Sequence, residues 1–253
     1  MTKRILKHSG ILGIGIFCLL LLTLFIMIRN SSGEGIFAEG ICFEKLVWVF
    51  LVSAVLGDFI ETLYCRLLEG VWMSRSSVLY GHFSIVWGIG AVVLTLTLYR
   101  FSHMQNHVIF LIGTLIGGIY EYVCSLFTEM VFGAVFWDYS WMPLNIGGRT
   151  NLLYMAFWGL LGVVWIKFIY PRLSRAIEKI PMLLGKGITW FAIIFMTGNI
   201  MLSAMAMLRY TKRIDGIEAS NIVEEFLDAT YVDDRIEHVW PNMYFLKGKQ
   251  IKD

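Results

Sequence analysis

The chain has 253 residues, a hydrophobic fraction of 57% and a formal net charge of only +2, with a mean hydropathy of +0.68. An apolar share this far above the roughly 45–50% of soluble domains excludes an ordinary water-soluble enzyme and predicts a polytopic membrane protein. The near-neutral charge says little beyond compatibility with a membrane surface, and no nucleic-acid partner is expected.

Apolar runs near the ~20 residues that cross a bilayer can be drawn at Ser9–Ile28, Leu46–Tyr64, Val78–Tyr99, Val108–Phe127, Leu152–Tyr170 and Gly187–Leu208. The expected fold is therefore all-α, a multi-pass cell-membrane protein of about six transmembrane helices. The first run follows a basic start, Lys3, Arg4 and Lys7. Its core is longer than that of a signal peptide, so it is read as a retained helix. Four cysteines, Cys18, Cys42, Cys65 and Cys124, show no C-x-x-C spacing and imply neither a disulfide framework nor a zinc site.

Polar residues inside the inner runs are costly in hydrocarbon and should face protein or water. They are Asp58 and Glu61 in the second run, His82 in the third, Glu121 in the fourth and Lys167 in the fifth. The third run is expected to be helical from Val78. In the fourth, Gly113, Gly117 and Glu121 form a small-xxx-small-xxx-acid ladder, so the closest-packing face also carries the acid. After the fifth helix a basic connector is expected from Lys167 to Lys186, containing Pro171 and Pro181. Lys and Arg near helix ends divide almost evenly between the two faces, and the N-terminal segment tips the expectation toward both termini inside. The expected organisation is an N-terminal helix and loop over 1–45 and a core over 46–170. A connector with the sixth helix, 171–208, and an amphipathic tail, 209–253, follow.

The core carries an internal match. At an offset of 60 residues Phe50 meets Phe110, Leu51 meets Leu111, Gly57 meets Gly117, Glu61 meets Glu121, Glu69 meets Glu129 and Val71 meets Val131. At an offset of 74, Arg75 meets Arg149, Leu79 meets Leu153, Tyr80 meets Tyr154, Phe83 meets Phe157 and Gly88 meets Gly162. The expectation is a tandem, parallel helical-hairpin repeat, 46–99 and 108–170, with a fourteen-residue insertion in the second connector. Both glutamates, both arginines and the long loop would then share one membrane face.

Glu61, Arg75, Glu121 and Arg149 can be read as a chamber for an anionic or zwitterionic group, since Arg is suited to bidentate carboxylate or phosphate contact. They can equally be read as charges that neutralise one another and fix hairpin register. Asp138, within Trp137-Asp138-Tyr139-Ser140, is either an acid–base group or a turn former, and the turn is favoured. Trp137, Tyr139 and Trp141 suit an interfacial aromatic belt. Gly147 and Gly148 before Arg149 permit close backbone approach, and His82 suits packing better than proton transfer. His103 and His107 lack a third metal ligand. The chain has no P-loop, HExxH or nucleophile elbow, so no catalytic site is expected, and if ATP drives it another chain must bind the nucleotide.

The run VLYGHFSIVWG, the GxxxE of the fourth helix, and WDYS followed by Pro143, Asn145, Gly148, Arg149, Asn151, Leu152, Trp158 and Gly159 resemble the bacterial membrane proteins called putative ABC transporter permeases, type IV. The resemblance covers roughly Lys45 to Pro181. His82 departs from it, because proline usually follows the Tyr-Gly pair there. The resemblance implies a transport component in the lipid bilayer, working with a separate ATP-binding subunit. Apart from it, no cofactor or metal is expected, and a homo-oligomer is a further partner expectation. Glu61, Glu121, Asp138 and Arg149 belong to its shared pattern, and Arg75 and Asn145 complete the substrate-binding candidates. Two other functions fit the residues, a membrane-embedded lipid-headgroup binder or enzyme and a non-catalytic membrane scaffold.

Overall fold

The structure, a computed structural model, describes residues 35–68 and 70–245. The expected span Ser9–Ile28 and Glu69 lie outside them. The chain is mostly helical, and four helices are long and apolar enough to cross a membrane, Phe43–Leu68, Asn106–Phe132, Leu152–Glu178 and Met182–Ile214.

Helix α1, Phe43–Leu68, carries Glu44 in its first turn and Arg66 in its last, each complementing the helix dipole. Helix α2 is Ile85–Leu98, only 14 residues, extended by a 3₁₀ turn at Tyr99–Phe101. At about 21 Å it cannot span alone. The expected helical start at Val78 is thus corrected: residues 70–84 are an irregular loop. Serine chemistry is the reason, since Ser hydroxyls offer backbone groups an alternative to the helix. The Ser76 hydroxyl lies 2.9 Å from the Val78 carbonyl and 3.0 Å from that of Gly81. Ser77 donates its N–H to the Phe83 carbonyl at 2.8 Å and accepts from the Ile85 N–H at 2.9 Å. Gly81 adopts φ +83° beside the Phe83 ring, a conformation suited to glycine.

Helix α3, Asn106–Phe132, stops at Gly133 in the left-handed conformation. The long loop that follows contains β1, Ala134–Val135, and the hairpin of β2, Asn145–Ile146, and β3, Thr150–Asn151. Gly147 and Gly148, at φ +60° and +70°, make its turn. Asn151 then caps helix α4, Leu152–Val164, by accepting from the Tyr154 N–H. A π turn, Trp165–Ile169, leads directly into α5, Tyr170–Glu178. Pro171 therefore does not end the helix: widening the turn just before it accommodates a residue with no N–H to give. The expected connector Lys167–Lys186 shrinks to the three residues before α6, Met182–Ile214. Two short helices, α7 at Ile222–Thr230 and α8 at Asp233–Val239, and a strand, β4 at Tyr244–Phe245, follow.

Glycine–aromatic contacts set the spacing of both hairpins. A Cβ on Gly57 would lie 2.2 Å from Trp87, and one on Gly117 would lie 2.1 Å from Trp158. Gly88 sits on Phe50, and Gly159 sits on Phe110 and Thr114. Gly113 also faces Gly159, so the expected glycine face of α3 does make the close approach. A core of Val49, Leu94, Leu98, Ile109, Trp165 and Ile166 fills the bundle away from the two loops. On that far side Lys45 is fully buried and paired with Glu178 at 2.6 Å.

The tail packs on the bundle. Tyr210, Leu227, Tyr231, Ile236, Trp240 and Met243 share a core with Ala134, Ala206 and Met207. Strand β4 pairs antiparallel with β1, and the Tyr231 and Tyr80 hydroxyls meet at 3.0 Å. The tail thereby touches the connecting loop of each hairpin.

Candidate polar site

Both loops fold back along the last turns of the helix before them. Ser84 donates its N–H to the Ala54 carbonyl at 2.9 Å, although α1 runs on to Leu68, about 21 Å farther at 1.5 Å per residue. Thr150, just before α4, bonds Glu121, although α3 continues to Phe132, about 16 Å farther. Irregular backbone among membrane helices must be satisfied by protein or water. Helix α6 does this for the first loop: Leu79 N–H donates to Ser203 Oγ at 2.9 Å and Tyr80 N–H to Asn199 Oδ1 at 3.3 Å. The Asn199 amide in turn donates to the Tyr80 carbonyl at 2.7 Å.

These returns collect polar groups on one face. In the first hairpin Arg75 pairs with Glu61 at 3.5 Å, and His82 Nδ1 lies 3.1 Å from Asp58 Oδ2. The Trp87 indole lies within interaction reach of Glu61. In the second, Glu121 accepts from the Tyr139 hydroxyl at 3.0 Å and the Thr150 hydroxyl at 2.6 Å. Arg149 donates to Ser125 Oγ at 3.1 Å and pairs with Glu129, and Trp137 donates to its carbonyl at 2.8 Å. The two halves meet where the Trp87 and Trp158 rings pack with centroids 6.3 Å apart and where the Tyr120 hydroxyl donates to the Val86 carbonyl at 2.6 Å. Burial, then the charge of Glu121, push the Tyr139 phenol well above its ordinary pKa, so it stays a proton donor.

The expected candidates take different places. Glu61 with Arg75 forms a pair across its hairpin. Glu121 with Arg149 does not, because Arg149 sits farther up the returning loop and meets Glu129, two turns beyond Glu121 on the same face. Both arginines lie in the returning loops, ahead of α2 at Ile85 and α4 at Leu152. Asp138 Oδ1 accepts from the N–H and hydroxyl of Ser140 at 2.8 and 2.6 Å, a turn within the loop. Asn145 accepts from the Gly148 N–H at 3.0 Å and donates to the Met142 carbonyl at 2.8 Å, shaping the hairpin. Tyr139, expected in an aromatic belt, stacks at 4.7 Å on Tyr154 within the site, whereas Trp141 is 79% exposed.

Ser125, Glu129 and Thr150 were not among the expected site residues, and Asp58 was expected only as a polar group inside a span. Helical spacing carries the signal for three of them: Asp58 precedes Glu61 by one turn, and Ser125 and Glu129 follow Glu121 at four-residue steps. Among the described residues no group of three or more His, Cys, Asp or Glu could hold a metal ion.

No curated protein and no solved structure matches the chain. The family described as Putative ABC-transporter type IV matches residues 48–204. That segment holds both hairpins, both returning loops and α6 through Ser203, so the chain belongs to this family.

Proposed function

We propose that this protein is a permease-like transport component of the cell membrane. It works with a separate ATP-binding subunit and takes its substrate at the polar face formed by Glu61, Arg75, Glu121 and Arg149, beneath the loop that contains Asp138 and Asn145. One observation carries the reading beyond the family: two loops return among membrane-length helices and place helix starts beside acidic side chains. Broken helices at polar groups are a common way for transporters to build a binding site from backbone and side chains together.

The core over 46–170 is proposed to be a duplicated hairpin. In support, Gly57 and Trp87 pack as Gly117 and Trp158 do, and Phe50 with Gly88 as Phe110 with Gly159. These contacts favour an offset of 71 for the second helices, with Trp87-Gly88 matched to Trp158-Gly159. Gly88 then corresponds to Gly159 instead of Gly162, and the extra loop is eleven residues instead of fourteen. The copies differ in their ion pairs, which makes the site asymmetric.

The test is purification of the tagged full chain in mild detergent, followed by protein mass spectrometry and an ATPase assay. The reading expects a nucleotide-binding protein to copurify and its ATPase rate to fall in E121Q. Recovery of the chain alone under several detergents, with no ATPase activity, overturns it.

A further inference from the structure

Three buried side-chain polar atoms among the described residues have no hydrogen-bond partner, Ser53 Oγ, Asp58 Oδ1 and Arg75 Nε. All belong to the first hairpin. Unpartnered burial of such groups is costly, so each one calls for a ligand or a water. The Asp58 side chain is 2% exposed, and its other oxygen is taken by His82. Arg75 uses Nη2 on Glu61, and Asp58 and Arg75 lie within electrostatic reach of each other. A free acceptor thus stands one helical turn from Glu61, the carboxylate on which the guanidinium with the free donor rests at 3.5 Å.

The second hairpin has no equivalent. Gly118 stands sixty residues after Asp58, and the Met155 side chain fills its space, 2.5 Å from where a Cβ would be. Both Glu121 oxygens are already bonded. The unpartnered polar atoms are therefore particular to the first hairpin and not a general feature of the fold.

We propose that the first hairpin binds a small zwitterionic group, its ammonium on Asp58 Oδ1 and its oxyanion on Arg75 Nε. A bare anion would face Asp58 and Glu61 as like charges, and a bare cation would leave the Arg75 donor unused. His82, 73% exposed and stacked at 5.6 Å on Phe59, is the group through which Asp58 meets the outside. The inference rests on the proposed polar substrate site and names its substrate class. An ammonium beside an oxyanion occurs both in ethanolamine-phosphate lipid headgroups and in free amino-bearing solutes, and the site chemistry is the same for both.

The experiment uses the full chain. In phosphatidylglycerol nanodiscs, calorimetry with free phosphoethanolamine reads the solute arm. Native mass spectrometry after extraction from mixed phosphatidylethanolamine and phosphatidylglycerol vesicles reads the lipid arm. Saturable binding in the first arm, or selective retention of phosphatidylethanolamine in the second, supports the proposal and identifies the source. Either should weaken about 10- to 100-fold in D58N and in R75Q, as expected for losing a charge-assisted hydrogen bond, and hold in E218Q. The two substitutions sit on different elements, so one folded variant suffices. No binding in either arm by folded wild-type protein, or binding undiminished in the variants, overturns the proposal and leaves water as the partner. A missing ATPase in the copurification leaves this result unaffected, so the two failures are distinct.

Discussion

Replacing Asn199 with leucine should loosen the first returning loop more than any other single change in α6. Asn199 is 5% exposed and satisfies both the N–H and the carbonyl of Tyr80, at 3.3 and 2.7 Å. Leucine has similar bulk and no polar atom, so N199L leaves two backbone groups unpaired. Hydrogen bonds between membrane helices average about 0.6 kcal/mol when side chains can find other partners, whereas a stranded buried group costs about 1–3 kcal/mol. Leucine strands both groups of Tyr80, and the lower part of that range for each, about 1–2 kcal/mol, gives about 2–4 kcal/mol in total. S203A removes one acceptor, from Leu79 N–H, and should cost about 1 kcal/mol. Thermal unfolding in detergent micelles should therefore rank N199L well below S203A and S203A slightly below wild type. At about 2–4 °C per kcal/mol for a chain of this size, N199L should melt lower by ~5–15 °C. An N199L variant that melts with wild type would refute the claim that α6 holds this loop.

G117A should force α3 from α4, since its Cβ would lie 2.1 Å from Trp158; a cost of about 1–3 kcal/mol is expected, and pairing it with W158A should recover part of the loss in the same melting assay. R149K should cost about 1–3 kcal/mol by exchanging a guanidinium that reaches both Ser125 and Glu129 for a single ammonium, and hydrogen exchange should rise in 145–151 before it rises elsewhere. Tail docking should depend on acid pH through Asp228, whose carboxyl is held below its ordinary pKa first by the hydrogen bond from Arg209 and then by Arg213. A depressed carboxylate stabilises above its unfolded value of about 3.9 and loses that contribution as pH falls through the folded value. Limited proteolysis of 222–239 should then be unchanged from pH 7 to 5 and increase below pH 4, while D228N should be cleaved readily at pH 7.

The long helices were legible because α1, α3 and α6 are continuous apolar runs with polar ends. The start of α2 was not, because hydropathy reports burial and not conformation. Residues 78–84 are apolar because they lie among helices, yet Ser76, Ser77 and Gly81 hold them as a loop. Pro171 misled in the opposite direction: it signals a stop in an α-helix, but a π turn before it removes the conflict. At the site, the Glu61–Arg75 pair at 3.5 Å follows from two opposite charges at the facing ends of one hairpin. The partner of Arg149 was not, since choosing Glu129 over Glu121 depends on how far the loop climbs back along α3. Tyr139 looked like a surface aromatic because nothing in the sequence tells that its hydroxyl reaches Glu121. Asp58 was visible as a polar residue in an apolar run, but its unused oxygen is a fact of three-dimensional placement alone.

The most direct test of the central claim, that the first loop returns among the helices and opens a polar site to one face, is cysteine labelling at His82. A chain with its native cysteines replaced and H82C introduced should react with a membrane-impermeant maleimide added from the face that carries Arg149. It should not react from the face that carries Arg100. Failure to label from either face, or equal labelling from both, would contradict a site that opens where these loops meet.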